Sequence, residues 1–164
     1  METPELHGFL YFRVPPGART RAGADRARQA IEEAERTPAL VALYTYSLVG
    51  LRPDAELGCW IAAGDPGVFQ QAAGALAQSG LELTWSLWGF VRPSQYTGRD
   101  GTSVKVPGPR RRFLVVYPFT KTHEWYQMAP EIRRTMMTEH ARFGHSFEEI
   151  DQLLLYCTGL SDWE

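Results

Sequence analysis

Cysteine is scarce in this chain. Cys59 and Cys157 are the two it has, and neither stands in a CxxC or Cys/His spacing. That excludes a disulfide framework and a cysteine-built zinc site, and leaves two ordinary buried thiols of a reducing cytosol. Charge of one sign is also lacking. A net charge of −2 gives no electrostatic grounds for binding nucleic acid or an anionic membrane. No run approaches the roughly 18 consecutive apolar residues of a membrane span. The N-terminus METPELHG has neither the basic segment nor the apolar run of a secretion signal. A soluble cytoplasmic protein is expected, with no nucleic-acid or membrane partner.

Aromatic residues, by contrast, are plentiful: five Trp, seven Tyr and eight Phe among 164 residues. Such a load suits a large apolar cavity or a large core, and the length suits one domain or two small fused half-domains. Residues 6–14 read as a strand closed by Pro15-Pro16-Gly17. Residues 24–36 read as a helix with Ala24, Ala27, Ile31 and Ala34 on one face. A strand at 39–51, apolar on both faces, pairs with 55–63 across Arg52-Pro53-Asp54. Asp65-Pro66 caps a helix at 66–78 that turns Val68, Ala72 and Leu76 inward. Residues 81–91 alternate, with Leu81, Leu83, Trp85 and Leu87 on one side. This βαββαβ order is that of a ferredoxin-like half-domain.

Residues 93–109 form a linker rich in Pro, Gly and Ser, after which the pattern restarts. It predicts a strand at 111–120, a helix at 130–143 and a strand near 149–157. A strand apolar on both faces needs cover on the side of the sheet away from the helices. A second sheet supplies it, so the expected fold is an α+β, ferredoxin-like dimeric barrel. Its halves are residues 1–92 and 110–164, joined by 93–109. The second half lacks the counterparts of a strand, a helix and a final strand. Either the chain is shortened or a partner supplies them, and the first reading is preferred.

Residues 113–147 carry the chemistry. Alternation puts Phe113, Val115, Tyr117, Phe119 and Lys121 on one side of the strand. The helix after it starts at Pro130 with Glu131 in its positive first turn, and Gly144 can close it in the left-handed conformation. Ile132, Met136, His140 and Phe143 share one stripe. From the pattern alone, His140 is either a hydrogen-bonded core histidine or a metal ligand.

YPFTKTHEWY followed by MMTEHARFG resembles the chlorite dismutase superfamily, which includes the bacterial coproheme decarboxylases. GLRPDAELGCW at 50–60 and RPSQYTG at 92–98 resemble it too, in the same order, and the likeness runs from about residue 6 to the end. The resemblance implies that His140 is the proximal ligand of a haem iron, in haem b or iron coproporphyrin III. With no CxxCH in the chain, that haem is held without thioether links.

Further roles follow from the same resemblance. Tyr117 matches the tyrosine that relays oxidising equivalents, Lys121 the lysine beside a propionate, and Trp125 an aromatic position beside the cofactor. The bland readings are a strand tyrosine, a lysine reaching water and a core tryptophan. Chlorite dismutases resemble one another in an arginine eight residues before the leucine of a turn like Thr158-Gly159-Leu160. Here that position is Gln152, and no arginine follows Arg142. A glutamine can donate to peroxide but supplies no fixed charge to hold an oxychlorine anion. His7 precedes the first strand and has no partner by spacing, and His123 and His145 read as surface residues. Arg110, Arg111 and Arg112, with Lys105, read as a solvated linker or as a rim for carboxylates. The implied activity is peroxide-dependent decarboxylation of coproheme or a haem peroxidase reaction. Chlorite decomposition, or a cofactor-free small-molecule-binding barrel, is the alternative. The implied partners are a small-molecule substrate (peroxide, coproporphyrin or an oxychlorine anion) and further copies of the chain in a homo-oligomer.

Overall fold

The computed structural model describes residues 5–93, 106–144, 146–147 and 149–157. Its centre is β1 (Leu6–Arg13), flanked by β3 (Leu57–Ala63) and β4 (Glu82–Phe90), with β2 (Leu40–Ser47) beyond β3. All neighbours are antiparallel, in the order β2-β3-β1-β4. Two helices, α1 (Arg21–Glu35) and α2 (Pro66–Gln78), complete the βαββαβ order expected from the sequence.

Local chemistry fixes the ends of these elements. Helix α1 begins three residues earlier than the apolar spacing predicts, because Thr20 Oγ1 accepts the Gly23 N–H at 3.0 Å. Its inward stripe is accordingly Gly23, Ala30 and Ala34, with Ala27 and Ile31 partly buried, while Ala24 is exposed. A Cβ at Gly23 would stand 2.0 Å from the Ala18 carbonyl oxygen, so only glycine fits there. Asp65 caps α2 as expected, accepting the Gly67 N–H at 2.7 Å, and Val68, Phe69, Ala72 and Leu76 are buried.

The alternation of β4 breaks at one place. Tyr11 pairs with Trp85 and Phe12 with Leu83. Thr84 is therefore the extra residue of a bulge, and its hydroxyl donates to the Tyr11 carbonyl at 3.1 Å. One inserted residue flips the parity of everything before it. Leu81 thus packs on the helix side and Trp85 and Leu87 on the other, rather than all on one side as predicted.

The sheet buries both faces. On the helix side Leu6, Leu10, Phe12, Ile61, Phe69 and Leu76 form the main core. On the opposite face Phe9, Tyr11, Trp60 and Leu87 are covered by Leu114 and Val116 and by Leu153, Leu155 and Cys157. A second layer thus exists where it was expected, but not as the predicted strands. Residues 111–120 form no strand, and 149–157 contribute a single antiparallel bridge, Phe90 to Tyr156. The physical reason lies in the contacts. Leu114 and Val116 meet the first sheet through their side chains, and the backbone of 149–157 meets it at Tyr156, which exchanges both hydrogen bonds with Phe90 at 3.0 Å.

His7 is not the unpartnered histidine that spacing suggested. It lies within β1 at 1 % exposure, and its Nδ1 accepts the Trp60 indole N–H at 3.0 Å. The proton of the neutral ring is therefore on Nε2, which stands 3.0 Å from Glu5 Oε1. Burial holds the imidazole below its ordinary 6.5, at about 4. Above pH 6.5 the ring is neutral folded or unfolded. Between 6.5 and 4 the unfolded chain takes up a proton that the fold excludes, so stability falls as pH drops through that window. The loss reaches about 3 kcal/mol, partly offset because burial raises the Glu5 carboxyl. Urea unfolding of the wild type and His7→Gln at pH 7.5 and pH 5 checks this. The wild type should lose stability relative to the variant at the lower pH, and equal losses contradict it.

Candidate functional site

The second half of the chain is anchored before it reaches the site. Tyr44 donates to the Gly108 carbonyl at 2.9 Å and accepts the Gly108 N–H at 2.8 Å. Arg110 donates to the Thr45 carbonyl at 2.8 Å and lies over the Tyr46 ring. Arg111 pairs with Asp151, and Arg112 lies over Phe113. The arginine run is thus exposed but engaged, and Lys105 lies outside the described residues.

From here the expected alternation is present. Leu114 and Val116 turn toward the first sheet, and Phe113, Val115, Tyr117 and Phe119 turn away. The outward side is uncovered: Tyr117 is 72 % exposed, with the Phe119 ring centroid 6.2 Å from its own.

Thr122 then caps α3 (His123–Gln127) by accepting the Trp125 N–H at 3.3 Å, and Glu124 sits in the first turn. Hydrogen bonds from the backbone and Thr122 hold the Glu124 carboxyl below its usual range. Lys121 and Trp125, two of the expected site residues, are brought together: the ammonium lies 5.3 Å from the ring centroid. His123 is exposed, as expected, and His145 lies outside the described residues.

Helix α4 (Pro130–Gly144) begins where the sequence placed it and runs one residue further, with Glu131 in its first turn and Arg142 in its last. Its predicted apolar stripe exists but does not face a core. Ile132, Met136, His140 and Phe143 are exposed, the last at 69 %. The better-covered stripe is the adjacent one, Arg133, Met137, Ala141 and Gly144. His140 is therefore an accessible imidazole between apolar neighbours rather than a core histidine.

Gly144 has a use other than the expected left-handed cap. It is the last helical residue, and among the described residues the left-handed glycines are Gly50 and Gly80. A Cβ on Gly144 would stand 3.3 Å from Gln152 Nε2 and 3.5 Å from Oε1. Gln152 thus packs its amide against the helix one turn beyond His140. The turn Thr158-Gly159-Leu160, from which its position was counted, lies outside the described residues. Cys59 is buried, and its thiol is pushed up to about 12 by burial, while Cys157 is half-buried. Burial makes the Cys59 thiol a poor nucleophile, and among the described residues neither cysteine joins a group that could hold a metal ion.

Among the described residues no group of three His, Cys, Asp or Glu side chains could hold a metal ion. Among the same residues no helix is long and apolar enough to cross a membrane.

Comparison with known proteins agrees with this arrangement along almost the whole chain. Coproheme decarboxylase of Mycolicibacterium smegmatis is 25 % identical over 167 residues, covering 95 % of this chain and 71 % of the relative. The crystal structure of TA0507, provisionally assigned as a chlorite dismutase, superposes with a TM-score of 0.79 at 20 % identity. It covers 99 % of this chain and 76 % of that one. Chlorite dismutase from Candidatus Nitrospira defluvii, solved in complex with imidazole, gives a TM-score of 0.73 at 20 % identity over 98 % of this chain and 73 % of its own. At those identities the two structures speak for the fold. The family model for chlorite dismutase matches residues 20–164. With the ferredoxin-like sheet, the covered outer face and the helix bearing His140, that match establishes that this chain belongs to the chlorite dismutase family.

Proposed function

We propose that the protein is an iron-porphyrin oxidoreductase with His140 as the axial iron ligand. Its reaction is peroxide-dependent decarboxylation of porphyrin propionates in iron coproporphyrin. The observation that carries this reading is an accessible imidazole set in an exposed apolar stripe, Ile132, Met136 and Phe143. An apolar stripe of this kind calls for cover. An iron porphyrin would offer a flat apolar face together with four nitrogen donors of its own, and its iron would accept a neutral imidazole as a further donor. The coproheme decarboxylase relative favours coproporphyrin over haem b as substrate.

When bound, the iron porphyrin supplies the redox chemistry. One propionic acid and one hydrogen peroxide give a vinyl group, carbon dioxide and two waters, so two electrons leave the propionate and reduce the O–O bond. The chain's residues hold and serve that exchange. His140 would hold the iron, and Trp125 would lie beside the ring. Lys121 pairs with a propionate and keeps it ionised. Tyr117 presents a phenol that gives up a proton and an electron together and is restored by the propionate. Gln152 offers a neutral amide and no fixed cation, which disfavours retention of an oxychlorine anion. A homo-oligomer completes this reading, because the faces around Tyr117 and His140 are open in the single chain.

Mass spectrometry of iron coproporphyrin with slow peroxide addition, beside oxygen release from chlorite, tests the reaction. Stepwise loss of carbon dioxide and two hydrogens per propionate, with little oxygen from chlorite, is expected. Rapid oxygen release without porphyrin products overturns the assignment in favour of chlorite decomposition.

A further inference from the structure

We infer that Trp60 is a redox site in the first half of the chain. Its indole gives up one electron to a strong one-electron oxidant and its N–H proton to His7, and so stores an oxidising equivalent as a neutral radical. The geometry is a relay of three side chains. The indole Nε1–H is donated to His7 Nδ1 at 3.0 Å. The imidazole's own proton is then on Nε2, which stands 3.0 Å from Glu5 Oε1. That second pair is close but not aligned as a hydrogen bond, so the carboxylate has to turn to receive the proton, and its position allows it. Trp60 is 7 % and His7 1 % exposed, whereas the Glu5 side chain is 39 % exposed. The relay therefore runs from the core to the surface.

An electron taken from a buried indole leaves a positive charge where a charge is costly, and loss of the N–H proton removes it. The proton passes from Trp60 Nε1 to His7 Nδ1 as the His7 Nε2 proton passes to Glu5, whose carboxylate becomes a carboxylic acid. The electron goes to the oxidant, and the imidazole is neutral before and after, as its burial requires. The oxidant is of the class that the reading above supplies, a peroxide-activated metal porphyrin, but the site itself does not depend on that reading. The ring neighbours suit the role. The half-buried Tyr44, a second oxidisable ring, has its centroid 5.1 Å from that of Trp60, and Phe9 lies at 6.0 Å. Trp85 and Trp125 are placed otherwise, 5.5 Å from the Arg52 guanidinium and 5.3 Å from the Lys121 ammonium. A cation over a ring opposes removal of an electron from it.

The test is flash oxidation of the full chain by photo-excited ruthenium tris-bipyridine with persulfate as electron acceptor. Transient absorbance and freeze-quench electron paramagnetic resonance then tell a neutral tryptophan radical from a protonated one. Wild type, Trp60→Phe, His7→Gln and Glu5→Gln are compared, with circular dichroism to verify each fold. The wild type is expected to give a neutral radical that is lost in Trp60→Phe. His7→Gln should slow deprotonation of the oxidised indole by about a hundredfold, the scale on which a positioned proton-transfer group acts. Glu5→Gln, at the half-exposed end of the relay, should slow it to a lesser extent while leaving the core untouched. The site is overturned if the same radical forms in Trp60→Phe, or if Glu5→Gln and His7→Gln deprotonate at the wild-type rate. In a parallel sample, iron coproporphyrin and peroxide replace the photo-oxidant. Absence of the radical there, with its presence after the flash, supports the site and counts against the iron-porphyrin reading.

Discussion

Tyr117→Phe is expected to stop the conversion of propionate to vinyl while leaving porphyrin binding within about twofold of wild type. The substitution keeps the ring and its neighbour Phe119 and removes only the hydroxyl. At 72 % exposure Tyr117 contributes little to the core, so stability should not change measurably. A phenol is what the exchange needs at this point, since its electron and proton leave together and return together. Phenylalanine can do neither. The loss should be about a hundredfold or more, the scale on which a positioned proton-transfer group acts. Product formation at the wild-type rate in Tyr117→Phe contradicts the relay and moves the role to another oxidisable side chain.

The first half of the fold was legible because its signals are local. Alternation, the Asp65-Pro66 cap and the βαββαβ order each depend on a few neighbouring residues. What escaped notice was also local, but silent in pattern. Thr20 caps α1 from outside the apolar stripe, and the Thr84 bulge reverses the alternation of β4 without leaving an irregular composition. His7 looked partnerless because Trp60, which bonds it, is remote in sequence and opposed only once β1 and β3 pair.

The second half was read less completely. The spacing of 113–121 identified the two sides of that segment, since Leu114 and Val116 turn one way and Tyr117 the other, whereas in α4 the better-covered stripe is the one adjacent to the apolar stripe. It could not say that the stripe with His140 would be open, because periodicity reports which residues share a face and not what covers that face. The pairing of Lys121 with Trp125 spans the end of the 113–121 segment and a helix cap, so neither period contains it. Gly144 shows the same limit: its glycine reads as a helix stop, whereas the structure uses the missing side chain to admit Gln152.

The most direct test of the central claim is the titration of wild type and His140→Ala with haem b and with iron coproporphyrin, followed by absorbance. His140 is exposed on α4, so its removal should leave the fold intact, as circular dichroism can verify. The wild type is expected to develop an intense, shifted Soret band with the spectrum of an imidazole-ligated iron. In His140→Ala the band should be lost or changed in position, with affinity down by about tenfold to a hundredfold, and added imidazole should restore the wild-type spectrum. Identical titration curves and spectra for the two proteins would show that His140 is not the iron ligand.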